Sequence, residues 1–244
     1  MLVFASFLIL IGLTALRQTF VGGFANKPWQ DWVLDGVGLW VQGILIPIVQ
    51  IILIHSLWAY LLPSFGAQLT LGFIPAFLLS FVGVDYLYYW NHRLLHSRLC
   101  WAVHSVHHTV TDMDVMATSR NTLWSSFLII YVWIHALLIY LLADPTAYIL
   151  GVSLSSALDL WRHSAFSPTP NQLIYRLLAP WLILPTDHAW HHGRGAEVVN
   201  FGANLKVWDQ LHGTYFKSDR PPTYLGTPTS LSLVQKLLFP FKTS

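Results

Sequence analysis

Apolar residues run along this chain in five long stretches, at roughly Leu2–Leu16, Gly36–Leu62, Leu69–Trp90, Leu123–Ala143 and Thr146–Trp161. Continuous apolar runs of this length predict helices able to enter a bilayer. The first and fifth are short for a full span. The first has no basic segment before its apolar core, so it reads as a retained helix rather than a signal sequence. The fifth carries Ser153, Ser155, Ser156 and Asp159 and is expected to pack against protein instead of lipid. After it, Asn171–Leu184 mixes Tyr175, Arg176 and Trp181 with leucines, the pattern of a segment lying in the membrane interface. Pro180 and Pro185 are expected to break it.

Composition agrees with this layout. Hydrophobic residues make up 55% of the chain, charged residues 10%, and the mean hydropathy is +0.53, values of a polytopic membrane protein. The expected fold is all-α: one integral membrane domain over residues 1–244, a polytopic helical bundle with a cytosolic, histidine-rich helical cap. The single cysteine, Cys100, excludes an intrachain disulfide and a CxxC site. A net charge of +2 without a basic cluster gives no reason to expect a nucleic-acid partner.

Charge placement orients the bundle. With five crossings and an outer N-terminus, the inner side receives loops 17–35 and 91–122 and everything from Arg162 onward. All 13 Lys and Arg lie in these segments or at their edges, and the outer turns Pro63–Gln68 and Asp144–Pro145 contain none. This is the positive-inside asymmetry. It puts every histidine cluster on the cytosolic side, because the last two spans form a returning hairpin.

Nine of the 12 histidines form a metal-binding pattern. His92 and His96 make an HxxxH. His104, His107 and His108 make an HxxHH, as do His188, His191 and His192, and His163 ends the fifth apolar run. On a helix, positions i, i+3 and i+4 share a face, so each cluster is expected to point two or three imidazoles the same way. Neutral imidazole suits Fe, Zn, Cu and Ni, and nine rings exceed the needs of one ordinary zinc site, so two metals are expected. Neutrality is required for ligation, so binding is expected to fail as the pH falls through the histidine range. His55 and His135, inside the second and fourth runs, are expected to be packed and hydrogen-bonded rather than ligating.

Several motifs then carry a resemblance. Asp85–His108 (DYLYYWNHRLLHSRLCWAVHSVHH), WRHS at Trp161–Ser164, DHAWHHG at Asp187–Gly193, NFG at Asn200–Gly202 and WDQLHGTY at Trp208–Tyr215 resemble the fatty acid hydroxylase / sterol desaturase superfamily. The resemblance covers about 80–217 as a catalytic core, with membrane helices 1–79 before it and a tail 218–244 after it. It implies a membrane enzyme with two iron ions, replaceable by zinc, that uses O2 on a lipid C–H bond. Carried over by motif, the ligands are His92, His96, His104, His107, His108, His163, His188, His191 and His192. Relatives often follow an Arg at the position of Arg120 with His-Pro two residues on and a Glu soon after; here Asn121, Thr122, Leu123 and Trp124 follow. His212 stands where relatives often have an aromatic residue.

Carboxylates near the histidines are candidates to orient metal-bound rings. Asp85, seven residues before His92 inside a span, and Asp159, four before His163, are the foremost. Asp187 reads as a helix cap, and Asp209 is left between the metal site and structure. Tyr86, Tyr88 and Tyr89 are expected to line an acyl channel. Oxidising a C–H bond demands a redox metal, which zinc is not. No GxGxxG or cysteine cluster is visible to hold an electron carrier. An external donor is therefore implied: a ferredoxin, a cytochrome b5-like protein or a reductase. Hydroxylation leads, desaturation on the same site is open, and a membrane zinc carrier or sensor ranks last. The compact chain points to a bacterial inner membrane over the endoplasmic reticulum.

Overall fold

A computed structural model describes residues 1–21, 27–195 and 198–241. Lys242, Ser244 and the side chain of Arg17 lie outside them. Among the described residues the fold is all-helical, with isolated β-bridges and no named strand. Helix α1 is Leu2–Val21, α2 is Trp29–Leu61, α3 is Phe73–Leu95, α4 is Ile130–Leu141 and α5 is Thr146–Arg162.

These helices follow the five apolar runs, with shifted ends; α1 runs on to Val21 and α3 spans Phe73–Leu95 instead of Leu69–Trp90. Helix α2 begins seven residues before the apolar run, directly after Pro28, and its first turns bring Asp31 and Asp35 into the helix. It also passes through two wider, π-type turns at Val41–Leu45 and Gln50–Ile54, flanking Pro47, whose ring cannot sit in an unbroken α-helical ladder. Helix α4 begins at Ile130 because Ser125–Leu128 forms a 3-10 turn first. Helix α5 runs through Arg162 and ends at His163.

Packing is organised around α5, which lies against α1 and the first half of α3, while α4 covers α2 and touches α3. Val41, Ile46 and Ile54 of α2 bury against Val132 and Ala136 of α4. Ala76 and Val84 of α3 bury with Leu142, Ala147 and Tyr148. The close approach of α2 to the turn Val115–Ser119 depends on Gly38: a Cβ there would lie 2.0 Å from the Ser119 carbonyl oxygen. Outward-facing Ile48, Ile51, Ile52 and Leu53 of α2 and Phe73 and Ile74 of α3 are exposed. Helices that are apolar all round while burying only one stripe have the surface of a membrane span. Helices α2 and α3 are long and apolar enough to cross a membrane.

The two turns expected outside are joined to each other: Ala67 and Leu69 donate backbone N–H groups to Tyr140 and Leu141, and Ala143 donates to Leu69. They sit at the start of α3, whose other end carries His92, about 1.5 Å per residue further along. Beyond α5, a short helix α6 (Leu173–Leu178) ends before Pro180 and leaves Leu173, Ile174, Leu177 and Trp181 exposed. Pro185 opens α7 (Pro185–His191), followed by α8 (Val207–Leu211) and α9 (Leu233–Leu238).

Candidate metal centre

All nine motif histidines converge, and they do so as two groups. His92, His96, His104, His108 and His191 form one; His107, His163, His188 and His192 form the other. Within each group the potential ligand atoms all lie within 4.8 Å of one another.

Two rings of each HxxHH share a group, and the third is turned to the other. Each HxxHH is split between the groups, and the two are split reciprocally. His104 and His108 join the group of five while His107 joins the group of four; His188 and His192 join the group of four while His191 joins the group of five. Helical geometry explains it. Neighbours in sequence are about 100° apart around an axis, whereas i and i+4 are only about 40° apart. The pair i, i+4 therefore brackets one ion, and the ring between them in sequence is turned to another. For the second cluster the geometry comes from α7 and its end. For the first it comes from two short turns, Trp101–His104 and His107–Thr109. His92 and His96 lie at the end of α3, and His163 ends α5.

Tautomers decide what the groups can hold. His92 Nδ1 lies 2.8 Å from the Phe201 carbonyl and His191 Nδ1 2.7 Å from that of Val199. His107 Nδ1 faces the Arg120 carbonyl at 3.3 Å and His163 Nδ1 that of Asp159 at 2.8 Å. A carbonyl only accepts, so in these four rings the proton sits on Nδ1 and donates. Each Nε2 is then a bare lone pair. These atoms are the ones that crowd together: His107 to His163 at 3.3 Å, His163 to His188 at 3.0 Å, His188 to His192 at 3.1 Å. In the other group, His96 meets His191 at 3.2 Å, His92 meets His104 at 3.2 Å and His104 meets His108 at 3.3 Å. Facing lone pairs repel unless a cation lies between them. Nitrogens bound to one ion at about 2.0–2.1 Å are themselves about 2.8–3.4 Å apart at angles of 90–109°. The donor sets fit a transition-metal ion in each group.

Their environment keeps the rings ready to bind. Eight are buried and His96 is half-buried. Burial, then the neighbouring rings, holds His104, His108, His188 and His192 well below the ordinary histidine range. Burial brings His107 and His191 down to about 3, and burial with the adjacent His191 brings His96 to about 2. Lowered values mean the rings stay neutral as the pH falls through the ordinary range, so proton competition for a metal begins further into acid than the sequence alone suggests.

The carboxylates take varied partners. The Asp159 carboxylate accepts from Arg162 and lies 3.3 Å from His163 Nδ1, whose proton goes to the Asp159 backbone carbonyl. Asp85 reaches no imidazole. Its oxygens accept from the backbone N–H of Asn204 at 2.8 Å and Leu205 at 3.1 Å and from the Trp208 indole at 2.8 Å. It ties the 199–209 segment, source of the Val199 and Phe201 carbonyls, to α3. Asp187 accepts from the Leu184 N–H, capping α7 from inside its first turn, and pairs with Lys206 at 3.2 Å. Tyr86 and Tyr89 stack on His212. Tyr88 sets its ring 5.3 Å from His92 and stacks on Tyr131 at 4.6 Å. His135 donates to or accepts from Tyr148 at 2.7 Å, His55 packs edge-on to Tyr140, and neither joins a group. Sequence reading missed the support behind His107, where buried Arg120 pairs with Asp35 and Asp31. Only the charges at 31, 35 and 120 hinted at it. Beside His96, Trp101 (ring centroids 5.2 Å apart) also lines an outer cavity of about 810 Å³ with Arg98, Ser105, Thr227 and Phe241.

Comparison with known proteins adds a family and relatives. Residues 77–214 match the family model described as fatty acid hydroxylase. The chain is 30% identical over 151 residues to human alkylglycerol monooxygenase, covering 59% of this chain and 32% of that protein. It is 30% identical over 152 residues to an ornithine lipid hydroxylase of Rhizobium tropici, covering 59% of this chain and 43% of that one. The chain thus spans less than half the length of these relatives. No solved structure matches it.

Proposed function

The chain belongs to the fatty acid hydroxylase family, and from that premise we propose that it is a membrane-bound di-iron monooxygenase that hydroxylates a C–H bond of a membrane lipid. The observation that carries this reading is the pair of adjacent, buried all-histidine groups with Nε2 lone pairs turned inward. His92, His96, His104, His108 and His191 would hold one ion and His107, His163, His188 and His192 the other. Such ions supply the activation of O2, with two electrons and two protons from outside completing the conversion of RH to ROH and water.

The chain's own contribution is positioning and exclusion of water. Carbonyls of Phe201, Val199, Arg120 and Asp159 fix four rings from behind. The Phe201 ring packs on His92, His96 and His191, and Val103 and Val106 are buried beside the first HxxHH. A lipid suits the exposed apolar belts of α2 and α3, through which an acyl chain would approach. The named activities of the relatives, on an alkylglycerol and an ornithine lipid, support hydroxylation over desaturation. A zinc carrier would need ligands spread along the spans, whereas these nine gather around the ends of α3 and α5. In this reading the donor is a separate ferredoxin, cytochrome b5-like protein or reductase.

Protein produced with ample iron is expected to hold two metals per chain and, given ¹⁸O₂ and a reductant, to yield a lipid carrying one ¹⁸O. One metal or none in active protein would remove the two-ion reading. An unlabelled product lacking two hydrogens would make the enzyme a desaturase. Zinc-loaded protein is expected to be folded and inactive.

Membrane placement has its own test. The paired turns at the far end of α3 suit five crossings, with the histidines in the cytosol of a bacterial cell. A reporter joined after Ser244 is expected to read as cytosolic, and a tag before Met1 to be accessible from outside. An external C-terminus would sink this placement.

A further inference from the structure

Asp209 lies outside both histidine groups, yet it is fully buried and holds three donors. Its Oδ1 accepts from the Phe201 N–H at 2.7 Å and from the Thr214 hydroxyl at 2.7 Å, and its Oδ2 accepts from the Gly202 N–H at 2.7 Å. The Gly202 N–H belongs to the same peptide unit as the Phe201 carbonyl, and that carbonyl is the acceptor of His92 Nδ1–H at 2.8 Å. One planar amide therefore stands between a carboxylate and an imidazole. Its N–H end faces the negative charge, and its C=O end faces the ring whose Nε2 belongs to the group of five.

We infer that Asp209 is a positioning residue that tunes His92 through the Phe201–Gly202 peptide. A carboxylate accepting from an amide N–H polarises the amide and makes its carbonyl a stronger acceptor, and hydrogen bonds in such a chain strengthen one another. A stronger acceptor on Nδ1–H makes Nε2 a better donor to a metal, as when a carboxylate contacts the ring directly. Here the carboxylate acts one peptide away. The peptide plane has no freedom to turn: Phe201, His92 and Asp209 are buried. Gly202 is the only residue that fits beneath it, since a Cβ there would lie 2.8 Å from Asp209 Oδ2 and 2.8 Å from the Leu205 carbonyl oxygen. Among the described residues the group of four has no such relay. Its fixed rings rest on the Arg120 and Asp159 carbonyls, so the effect is confined to one of the two ions.

This inference rests on the iron reading above, and its test separates the two. The experiment is a potentiometric titration of full-length, iron-loaded protein, with each ion followed by Mössbauer spectroscopy, alongside the d–d spectrum of cobalt-loaded protein. Wild-type protein without two irons would defeat the proposed function before Asp209 is reached. In Asp209→Asn, one amide oxygen replaces two carboxylate oxygens and an NH₂ group opposes a backbone N–H. The expected result is that both metals are retained and the potential of one ion rises. A tenfold loss of preference for its oxidised form corresponds to about 59 mV for one electron. Affinity for that ion should fall about 10-fold, the low end of the range for outer partners of a ligand. Gly202→Ala, which pushes the carboxylate off the same peptide, should shift the same ion in the same direction. Thr214→Val removes a donor to Asp209 but leaves the relay intact, and should lower stability without raising either potential. An unchanged potential in both Asp209→Asn and Gly202→Ala, or an equal shift of both ions, would overturn the inference.

Discussion

Replacing His163 with alanine is expected to leave a folded protein that holds about one metal instead of two and has lost turnover by more than about 100-fold, beyond what outer partners of a ligand account for. The reason lies in the partition of the histidines. His163 belongs to the group of four, with His107, His188 and His192, and its removal leaves three rings. It also sits between two of its partners, its Nε2 lying 3.3 Å from that of His107 and 3.0 Å from that of His188. The group of five loses nothing. His96→Ala should behave differently: it takes one ring from five, leaves four, and should keep a metal count near two. Metal analysis of both purified variants checks this, with circular dichroism to establish folding. Loss of both metals in His163→Ala, or retention of both, would mean that the groups are not independent ion sites.

Much of this architecture could be read from the chain because long apolar helices and histidine clusters both leave local signals. Apolar runs marked all five helices, since each needs a continuous apolar surface, and the histidines were visible because ligand spacing follows helical periodicity. The split of each HxxHH was legible in principle, because rings about 100° apart cannot close on one ion. What could not be read were pairings between distant segments. Asp85 stands on the same helical face as His92, seven residues before it, yet its oxygens serve Asn204, Leu205 and Trp208, more than a hundred residues on. The start of α2 was misplaced for a related reason. Asp31 and Asp35 lower the hydropathy of its first turns, and only their pairing with Arg120 makes charge tolerable there. The packing of Tyr86 and Tyr89 on His212 is another contact of this kind, since His212 lies more than a hundred residues further on.

That same pairing carries the largest stability effect. Arg120→Ala is expected to cost about 3–5 kcal/mol, the penalty for stranding a buried charge, against a total of about 5–15 kcal/mol for a typical domain. Arg120 grips Asp35 with two nitrogens, Nε at 2.6 Å and Nη2 at 2.9 Å, and reaches Asp31 at 3.1 Å and the Thr109 carbonyl at 3.2 Å through Nη1. Lys27 shares Asp35 at 2.6 Å and Asp114 at 2.8 Å. Without Arg120, three carboxylates face one ammonium, and Asp35 is completely buried. The consequence should reach the metal centre, because the Arg120 carbonyl is the acceptor that fixes His107. The variant should melt well below wild type in detergent and lose metal from the group of four first. Arg120→Lys should rescue only partly, since an ammonium cannot make the two-pronged contact with Asp35. The double change Arg120→Met with Asp35→Leu removes both charges and should recover much of the lost stability, because an apolar pair of similar size often replaces a buried ion pair without loss. Melting curves of the three variants decide the matter. If Arg120→Ala melts like wild type, the network is not holding α2 against the first histidine cluster. If the double variant is no better than Arg120→Ala, the cost lies in packing and not in stranded charge.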